Sequence, residues 1–298
     1  MKQVDSKEKK LGLSILLNLF ITIAQVIGGL VSGSLALLSD ALHNFSDVVS
    51  LIVSFIACRL IKRPFTHEKT FGWKRAEIIA ALFNSAILIA FAVNLIWAGF
   101  SRLISKKVES IDTSYVILIA ALSILINGFS VLLLKKDAED NMNIESSYLH
   151  LLSDMFTSIA VLAGGIAMYL YDIFWIDSVL SIGIAIYLIY ISFKLLLNTL
   201  RVIMHFTPSH IDLESIESDI CAIPEILNIH HIHIWQLNDK EIHFAAHLDF
   251  KNDQKISETN KIKKKVIKML KDKYQIHHTI LQQEFGIEDI KDTVIDER

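Results

Sequence analysis

The sequence predicts an α-helical membrane protein with six transmembrane helices and a small C-terminal α/β domain. Of the 298 residues, 52% are hydrophobic, and the mean hydropathy is +0.45. Both values are high for a soluble chain of this size. Apolar runs fill the first two thirds of the chain, whereas the last third contains most histidines and a lysine-rich segment. The predicted divisions are a cytosolic N-terminal segment (1–10), a transmembrane domain (11–204), a cytosolic α/β domain (205–287) and a polar tail (288–298).

Six apolar segments are long enough to cross a bilayer as helices, which takes roughly 20 residues each. The predicted spans are 11–31, 35–60, 78–100, 113–134, 146–171 and 177–200. The first span follows basic residues and precedes small ones, as a signal peptide does. Its length and the further spans after it favour a transmembrane helix instead.

Basic residues predict the orientation of these spans. The N-terminal segment and the loops after the second and fourth spans are rich in Lys and Arg. Of the opposite loops, only the one between the third and fourth spans is basic, with Arg102, Lys106 and Lys107. Because cytoplasmic loops carry an excess of Lys and Arg, both termini are predicted to face the cytoplasm.

After residue 205 the pattern changes to short amphipathic elements. "IDLESIESDICAI" has helical spacing, "ILNIHHIHIWQL" and "EIHFAAHLDF" alternate like half-buried strands, "SETNKIKKKVIKMLKDKY" is a basic amphipathic helix, and "HHTILQQEF" is a third strand. The basic helix does not indicate nucleic acid as a partner, because a single charged face beside acidic neighbours is typical of a solvated helix.

One motif occurs twice inside predicted spans. In the second span, Asp40, His43 and Asp47 fall on one helix face at about 100° per residue. The fifth span repeats the pattern Leu-His-x-x-Ser-Asp with His150 and Asp154. A single histidine or aspartate in a span is explained equally well by an interhelical hydrogen bond as by a metal ligand. Interhelical hydrogen bonding is also the interpretation for the other polar residues in the spans, Asn18, Gln25, Asn84, Asn94 and Asn127. Placing an ionisable side chain at the centre of a bilayer costs about 2.5–3.5 kcal/mol of free energy. Because this cost is met in both copies of the motif, the repetition predicts a functional role.

The two motifs are predicted to face each other, because the second and fifth spans are antiparallel and each motif lies part-way along its helix. Two imidazoles and two carboxylates form a tetrahedral shell suited to Zn²⁺, whereas Mg²⁺ and Ca²⁺ prefer oxygen ligands. The predicted ligands are His43, Asp47, His150 and Asp154. Asp40 lies almost one turn from His43, and we interpret it as an acceptor behind the ligands or as an ion-pathway residue.

At these residues the sequence resembles the zinc-type branch of the cation diffusion facilitator family, from about residue 10 to 287. The matching segments are "GSLALLSDALHNFSD", "TFGWKRAEIIAALFN", "HLLSD", "IHHIHIW" and "FAAHLDF". The resemblance implies a homodimer in the lipid bilayer, a ferredoxin-like (metallochaperone-like) cytosolic domain, and efflux of Zn²⁺, or of Cd²⁺ or Co²⁺, in exchange for protons. It carries His43, Asp47, His150 and Asp154 over as the transport site.

The cytosolic domain matches a second family metal site only in part. His230 and His247 match, but Gln282 stands where some relatives have histidine, and Glu284 follows two residues later. His230, His247 and Glu284 are therefore the candidates for a regulatory or dimer-stabilising zinc ion. Strand alternation predicts that His231 and His233 share the opposite face from His230.

Two other family features are not predicted here. Lys69 and Trp73 stand in the loop after the second span where some relatives have an acid and histidines, so we expect no metal there and a solvated His67. His205 lies near the position where relatives place an acid that pairs with a basic residue such as Arg75, so a charge lock is not expected. The loop "KKDAEDNMN" lacks the histidine-rich run of many eukaryotic relatives, which favours a bacterial inner membrane.

Two rival functions differ in what they require. An intramembrane metalloprotease needs an open zinc position and typically an HExxH motif, which the sequence lacks. We therefore predict that the protein is not an enzyme. A membrane zinc-binding receptor or scaffold without transport would use the same ligands, and the sequence leaves that alternative open.

Overall fold

The structure is a computed structural model that describes residues 2–61, 64, 66–105, 111–138, 142–238, 241–288 and 291–293. The chain forms two compact units, Met1–Ile56 with Ala80–Leu196 and Ala57–Ile79 with Leu197–Arg298.

Six long helices come first along the chain. They are α1 (Lys2–Ser32), α2 (Leu35–Ile61), α3 (Ala76–Ser105), α4 (Thr113–Ala138), α5 (Met142–Tyr171) and α6 (Trp175–Ile203). Every predicted span lies inside one of them, which confirms the six-helix fold class. Among the described residues, four segments are long and apolar enough to cross a membrane: Ala76–Ser105, Thr113–Lys135, Leu151–Tyr171 and Trp175–Ile203.

A carboxylate from α6 caps the N-terminus of α2. Asp177 accepts hydrogen bonds from the Ser34 hydroxyl at 2.5 Å, from Leu35 N at 2.8 Å and from Ala36 N at 3.2 Å. These backbone groups belong to the first turn of α2, where N–H groups have no partner inside the helix. Arg102 donates to Gly33 O at 2.8 Å and lies 3.7 Å from Asp177 Oδ2. The cap therefore fixes where α2 begins, at Leu35, five residues before Asp40.

The last third of the chain folds as a three-stranded sheet with two helices. Its elements are α7 (Leu213–Cys221), β1 (Ile226–Gln236), β2 (Ile242–Phe250), α8 (Ile256–Tyr274) and β3 (His278–Glu284). The strand order is β1-β2-β3, with β1 antiparallel and β3 parallel to β2. Apolar residues of the helices and of one sheet face form the core, including Ile220, Phe244, Leu248, Val266 and Leu270. This arrangement confirms the predicted α/β domain.

A β-bulge interrupts the alternation of β1. His230 pairs with His247 and His233 pairs with Ala245, so β1 has one extra residue in this interval. His231 takes a positive φ of 54° there. The imidazole of His231 lies 4.7 Å from that of His247, and the imidazole of His230 lies 5.2 Å from it, between ring centroids. The prediction that His230 and His231 lie on opposite faces was therefore wrong, because the bulge re-aims the side chain.

Candidate metal centres

The first unit brings together one residue from each copy of the repeated motif. His43 of α2 and Asp154 of α5 are both buried, and His43 Nε2 lies 3.2 Å from Asp154 Oδ1. The backbone of Asp47 belongs to α2 and that of His150 to α5, but their side chains lie outside the described part of the structure. The contact between His43 and Asp154 joins the two motifs, and the complete ligand set stays a prediction.

Asp40 is surrounded by hydrogen-bond donors. Its Oδ1 accepts from the Thr157 hydroxyl at 2.7 Å, and its Oδ2 accepts from Gln25 Nε2 at 2.6 Å and from the Ser158 hydroxyl at 2.9 Å. Both carboxylate oxygens are therefore engaged by side chains of α1 and α5. The Thr157 hydroxyl also lies 2.8 Å from the backbone carbonyl of Asp154 and shares its single proton between the two acceptors, which links Asp40 to the position of Asp154.

Gln25 extends this network to four helices. Its Oε1 accepts from Asn44 Nδ2 at 2.7 Å, and its Nε2 also lies within hydrogen-bond distance of Ser123 Oγ, at 3.2 Å. Ser123 and Ser158 hydrogen bond at 2.8 Å. Interhelical hydrogen bonding was expected for Gln25, whereas the roles of Thr157 and Ser158 were not predicted. Their spacing of three and four residues after Asp154, on the same helix face, was the available signal.

The second unit brings together all three residues of the predicted cytosolic cluster. His230 Nε2 lies 3.3 Å from Glu284 Oε2, and His247 Nδ1 lies 2.8 Å from Glu284 Oε1. One ligand atom from each residue fits within 4.8 Å of the others, and in the described part of the chain no other group of three does so. Two imidazole nitrogens and a carboxylate supply three ligands of the kind that Zn²⁺ prefers, which leaves one position open.

The tail contributes a cation to this cluster. Lys291 Nζ lies 3.1 Å from Asp249 Oδ2 and 3.6 Å from Glu284 Oε2. The segment 291–293 is held on β1, where Asp292 O accepts from His231 N at 3.2 Å and Thr293 O accepts from Ile232 N at 2.8 Å. This docking was not predictable from the sequence, because the tail is polar and has no periodic pattern.

The loop before α3 approaches the end of α6 within the second unit. The Arg75 guanidinium contacts His205 Nε2. Burial, and then the neighbouring Arg75 charge, lower the pKa of His205, so the imidazole accepts a hydrogen bond instead of carrying a second charge. His67 is exposed, and Lys69 Nζ lies 4.1 Å from the centre of the Trp73 ring.

Two family models match the chain, one for each part. Residues 11–204 match the cation efflux transmembrane domain, and residues 208–285 match the cytoplasmic domain of cation efflux proteins. The chain belongs to the cation diffusion facilitator family. It is a multi-pass membrane protein of the zinc-type branch of that family and functions in metal cation efflux.

Relatives of this cation diffusion facilitator match over most of their length. The chain is 31% identical over 279 residues to the metal cation efflux system protein CzcD of Cupriavidus metallidurans, covering 94% of this chain and 87% of CzcD. It is 32% identical over 290 residues to a cadmium, cobalt and zinc/H⁺-K⁺ antiporter of Bacillus velezensis, covering 97% and 92%. It is 29% identical over 283 residues to the zinc transporter ZitB of Pectobacterium atrosepticum, covering 94% and 87%.

Proposed function

We propose that the protein exports Zn²⁺ from the cytoplasm in exchange for protons, through a tetrahedral site of His43, Asp47, His150 and Asp154 between α2 and α5. The observation that carries this proposal is the buried contact of His43 with Asp154 at 3.2 Å. These two residues come from separate copies of one motif. Their meeting supports convergence of the other two ligands, since each lies four residues away on the same helix.

The chemistry of the site supports coupling to protons. Imidazole nitrogens and carboxylates bind metal only in their deprotonated forms, so metal and protons compete for the same atoms. A site that opens alternately to either side would therefore release Zn²⁺ where protons replace it and return protonated. The hydrogen bond between Thr157 and Asp40 joins α5 to α2 beside Asp154, which supports a fixed geometry of the proposed ligands.

The names of the relatives support the choice of substrate. One relative is named for cadmium, cobalt and zinc exchange with H⁺ and K⁺, and another is named as a zinc transporter. We assign Zn²⁺ as the principal substrate, with Cd²⁺ and Co²⁺ as alternatives, because two nitrogens and two oxygens favour a borderline ion. The match to the cytoplasmic domain supports a homodimer, and the bacterial relatives support an inner membrane. The distribution of Lys and Arg along the sequence supports both termini in the cytoplasm.

Asp154→Ala tests the transport site. We expect this variant to fold and to lose Zn²⁺ flux, because it removes one of four ligands. Zn²⁺ entry into reconstituted vesicles would be followed with an internal zinc dye. Asp112→Ala is the matched control, since Asp112 is exposed and accepts a hydrogen bond from Ser114 N at 3.1 Å. Wild-type flux in Asp154→Ala would contradict the site, and Zn²⁺ binding without flux in the unmodified protein would favour a receptor or scaffold.

The cytosolic cluster is proposed as a regulatory or dimer-stabilising zinc site. Its three candidate ligands are His230, His247 and Glu284, and their short mutual distances support the assignment. His230→Ala should weaken transport or shift its dependence on cytoplasmic Zn²⁺, without abolishing it, because the residue lies outside the transport pathway. Complete loss of flux in a folded His230→Ala protein would contradict a purely regulatory role.

A further inference from the structure

The second unit contains a cavity of about 740 Å³ that the transport chemistry does not use. Its volume falls within the roughly 300–1,000 Å³ of typical small-molecule sites. The wall comes from the loop before α3, from the segment after α6 and from the sheet. Its polar and aromatic lining residues include Lys74, Arg75, His205, Thr207, His233 and Trp235.

The cavity is cationic. None of the lining residues in the described part of the chain is acidic. The nearby carboxylate of Glu241 lies 2.5 Å from Lys74 Nζ and so compensates that lysine. Arg75 contacts the imidazole of His205 instead of a carboxylate. The charge on Arg75 is thus left without a counter-ion among the described residues.

Arg75 also has an unused donor. Its Nε is buried, and no described residue accepts a hydrogen bond from it. A guanidinium carries five N–H donors in a planar fork that matches the oxygens of a phosphate, and a buried donor without a partner is costly. A phosphate oxygen at this position would supply the missing acceptor. The His205 imidazole, the Thr207 hydroxyl and the Trp235 indole provide further polar groups around it.

The chain positions of these residues indicate the source of the phosphate. Arg75 immediately precedes α3, and His205 follows the last residue of α6 by two positions. Both helices include segments that are long and apolar enough to cross a membrane. Basic and aromatic residues at such helix ends are typical of the lipid headgroup level. Apolar residues of the lining, namely Leu213, Ile232, Ile234 and Leu237, offer a wall for the hydrocarbon part of a lipid.

We propose that this cavity binds the phosphate of an anionic phospholipid headgroup, with Arg75 as the principal contact. The site is separate from both candidate metal centres, so it stands or fails independently of the transport mechanism. It also gives His205 a role: as a neutral partner it orients the guanidinium without neutralising it.

The test measures lipid binding to the full-length protein in detergent by native mass spectrometry, with dioleoyl phosphatidylglycerol as the probe and dioleoyl phosphatidylcholine for comparison. Arg75→Gln should reduce binding of phosphatidylglycerol by about tenfold to a hundredfold, the range for loss of charge-assisted hydrogen bonds. His205→Asp should reduce it similarly, because it gives Arg75 an internal carboxylate and keeps the contact that holds the loop. Lys264→Gln, an equal charge change at an exposed position of α8, should have no effect.

Each outcome decides the proposal. Loss of phosphatidylglycerol binding in both cavity variants, with binding retained in Lys264→Gln, supports the proposal. If Arg75→Gln proves unstable, the result for His205→Asp decides. Equal binding in all four proteins, or equal binding of the two lipids, overturns it. Glycerol 3-phosphate, titrated in parallel, distinguishes the source. If it binds with the same dependence on Arg75 while phosphatidylglycerol does not bind, the cavity takes a soluble phosphate and the lipid assignment is wrong.

Discussion

Buried carboxylates inside the helical unit differ in what surrounds them. Asp40 accepts three side-chain hydrogen bonds, which satisfy both of its oxygens. Asp154 lies 3.2 Å from an imidazole, a group that binds either a proton or a metal. A carboxylate surrounded by donors is satisfied without a metal, whereas a carboxylate and an imidazole that face each other are able to share a metal ion. This contrast separates the proposed supporting role of Asp40 from the proposed ligand role of Asp154.

His43→Asp should change the selectivity of the transport site. The substitution replaces a nitrogen ligand by a carboxylate that binds through one or both oxygens, which makes the shell harder and allows more than four ligand atoms. Transport of Cd²⁺ and Mn²⁺ should therefore rise relative to Zn²⁺, by about threefold or more. Flux of the three ions would be compared in vesicles. An unchanged ranking would mean that His43 is not a ligand, and Asp40 would be tested next.

Among the secondary-structure elements, β1 shows how a local irregularity builds a site. The bulge between His230 and His233 brings a third imidazole, that of His231, beside His247. The same region hydrogen bonds to residues 291–293, which place Lys291 at the carboxylates of Asp249 and Glu284. The ammonium group thus stabilises the acidic part of the cluster and also repels an incoming cation.

Lys291→Gln should strengthen zinc binding at the cytosolic cluster. The variant removes a like charge 3.6 Å from the candidate ligand Glu284, and we expect affinity to rise about threefold to tenfold, as for loss of one partly exposed charge. Zinc titration would use the full-length protein with Asp154→Ala, so that the transport site does not contribute. Lys264→Gln is again the control. Equal affinities in these two variants would show that Lys291 does not oppose the metal.

The sheet should also lose stability in acid through His243. Burial, followed by the charge of His278, lowers the pKa of His243 in the folded protein. The unfolded chain therefore binds the proton first, so stability falls as pH drops below about 6.5, until the folded histidine is protonated as well. Between pH 7.5 and 5.5, the thermal midpoint of the His243→Gln variant should fall less than the thermal midpoint of the wild-type protein. Equal losses in the two proteins would rule out His243 as the titrating group.

At the scale of the whole molecule, the predicted features depend on local apolar patterns, whereas the features that were not predicted depend on contacts between distant segments. The six helices were predictable because each needs a long apolar run. Helices α2 and α4 begin at the predicted residues, 35 and 113. The meeting of His43 with Asp154 followed from spacing and antiparallel spans. The bulge at His231, the docking of Lys291 and the Arg75 cavity depend on contacts between distant segments, which no local period encodes.

Orientation in the membrane depends on the distribution of charge, and one basic loop opposes the rule that basic loops are cytoplasmic. The loop between the third and fourth spans is basic, although the prediction places it outside. Arg102 in this region donates to Gly33 O and lies 3.7 Å from Asp177, so part of its charge is compensated in the folded protein. The basic N-terminus and the loops after α2 and α4 then dominate the bias. Reporter fusions after residues 66, 138 and 298 should read cytoplasmic, and fusions after 33, 107 and 174 external. A fusion at 298 that reads external would reverse the proposed direction of transport, because the face of the site that opens to the cytoplasm would be the opposite one.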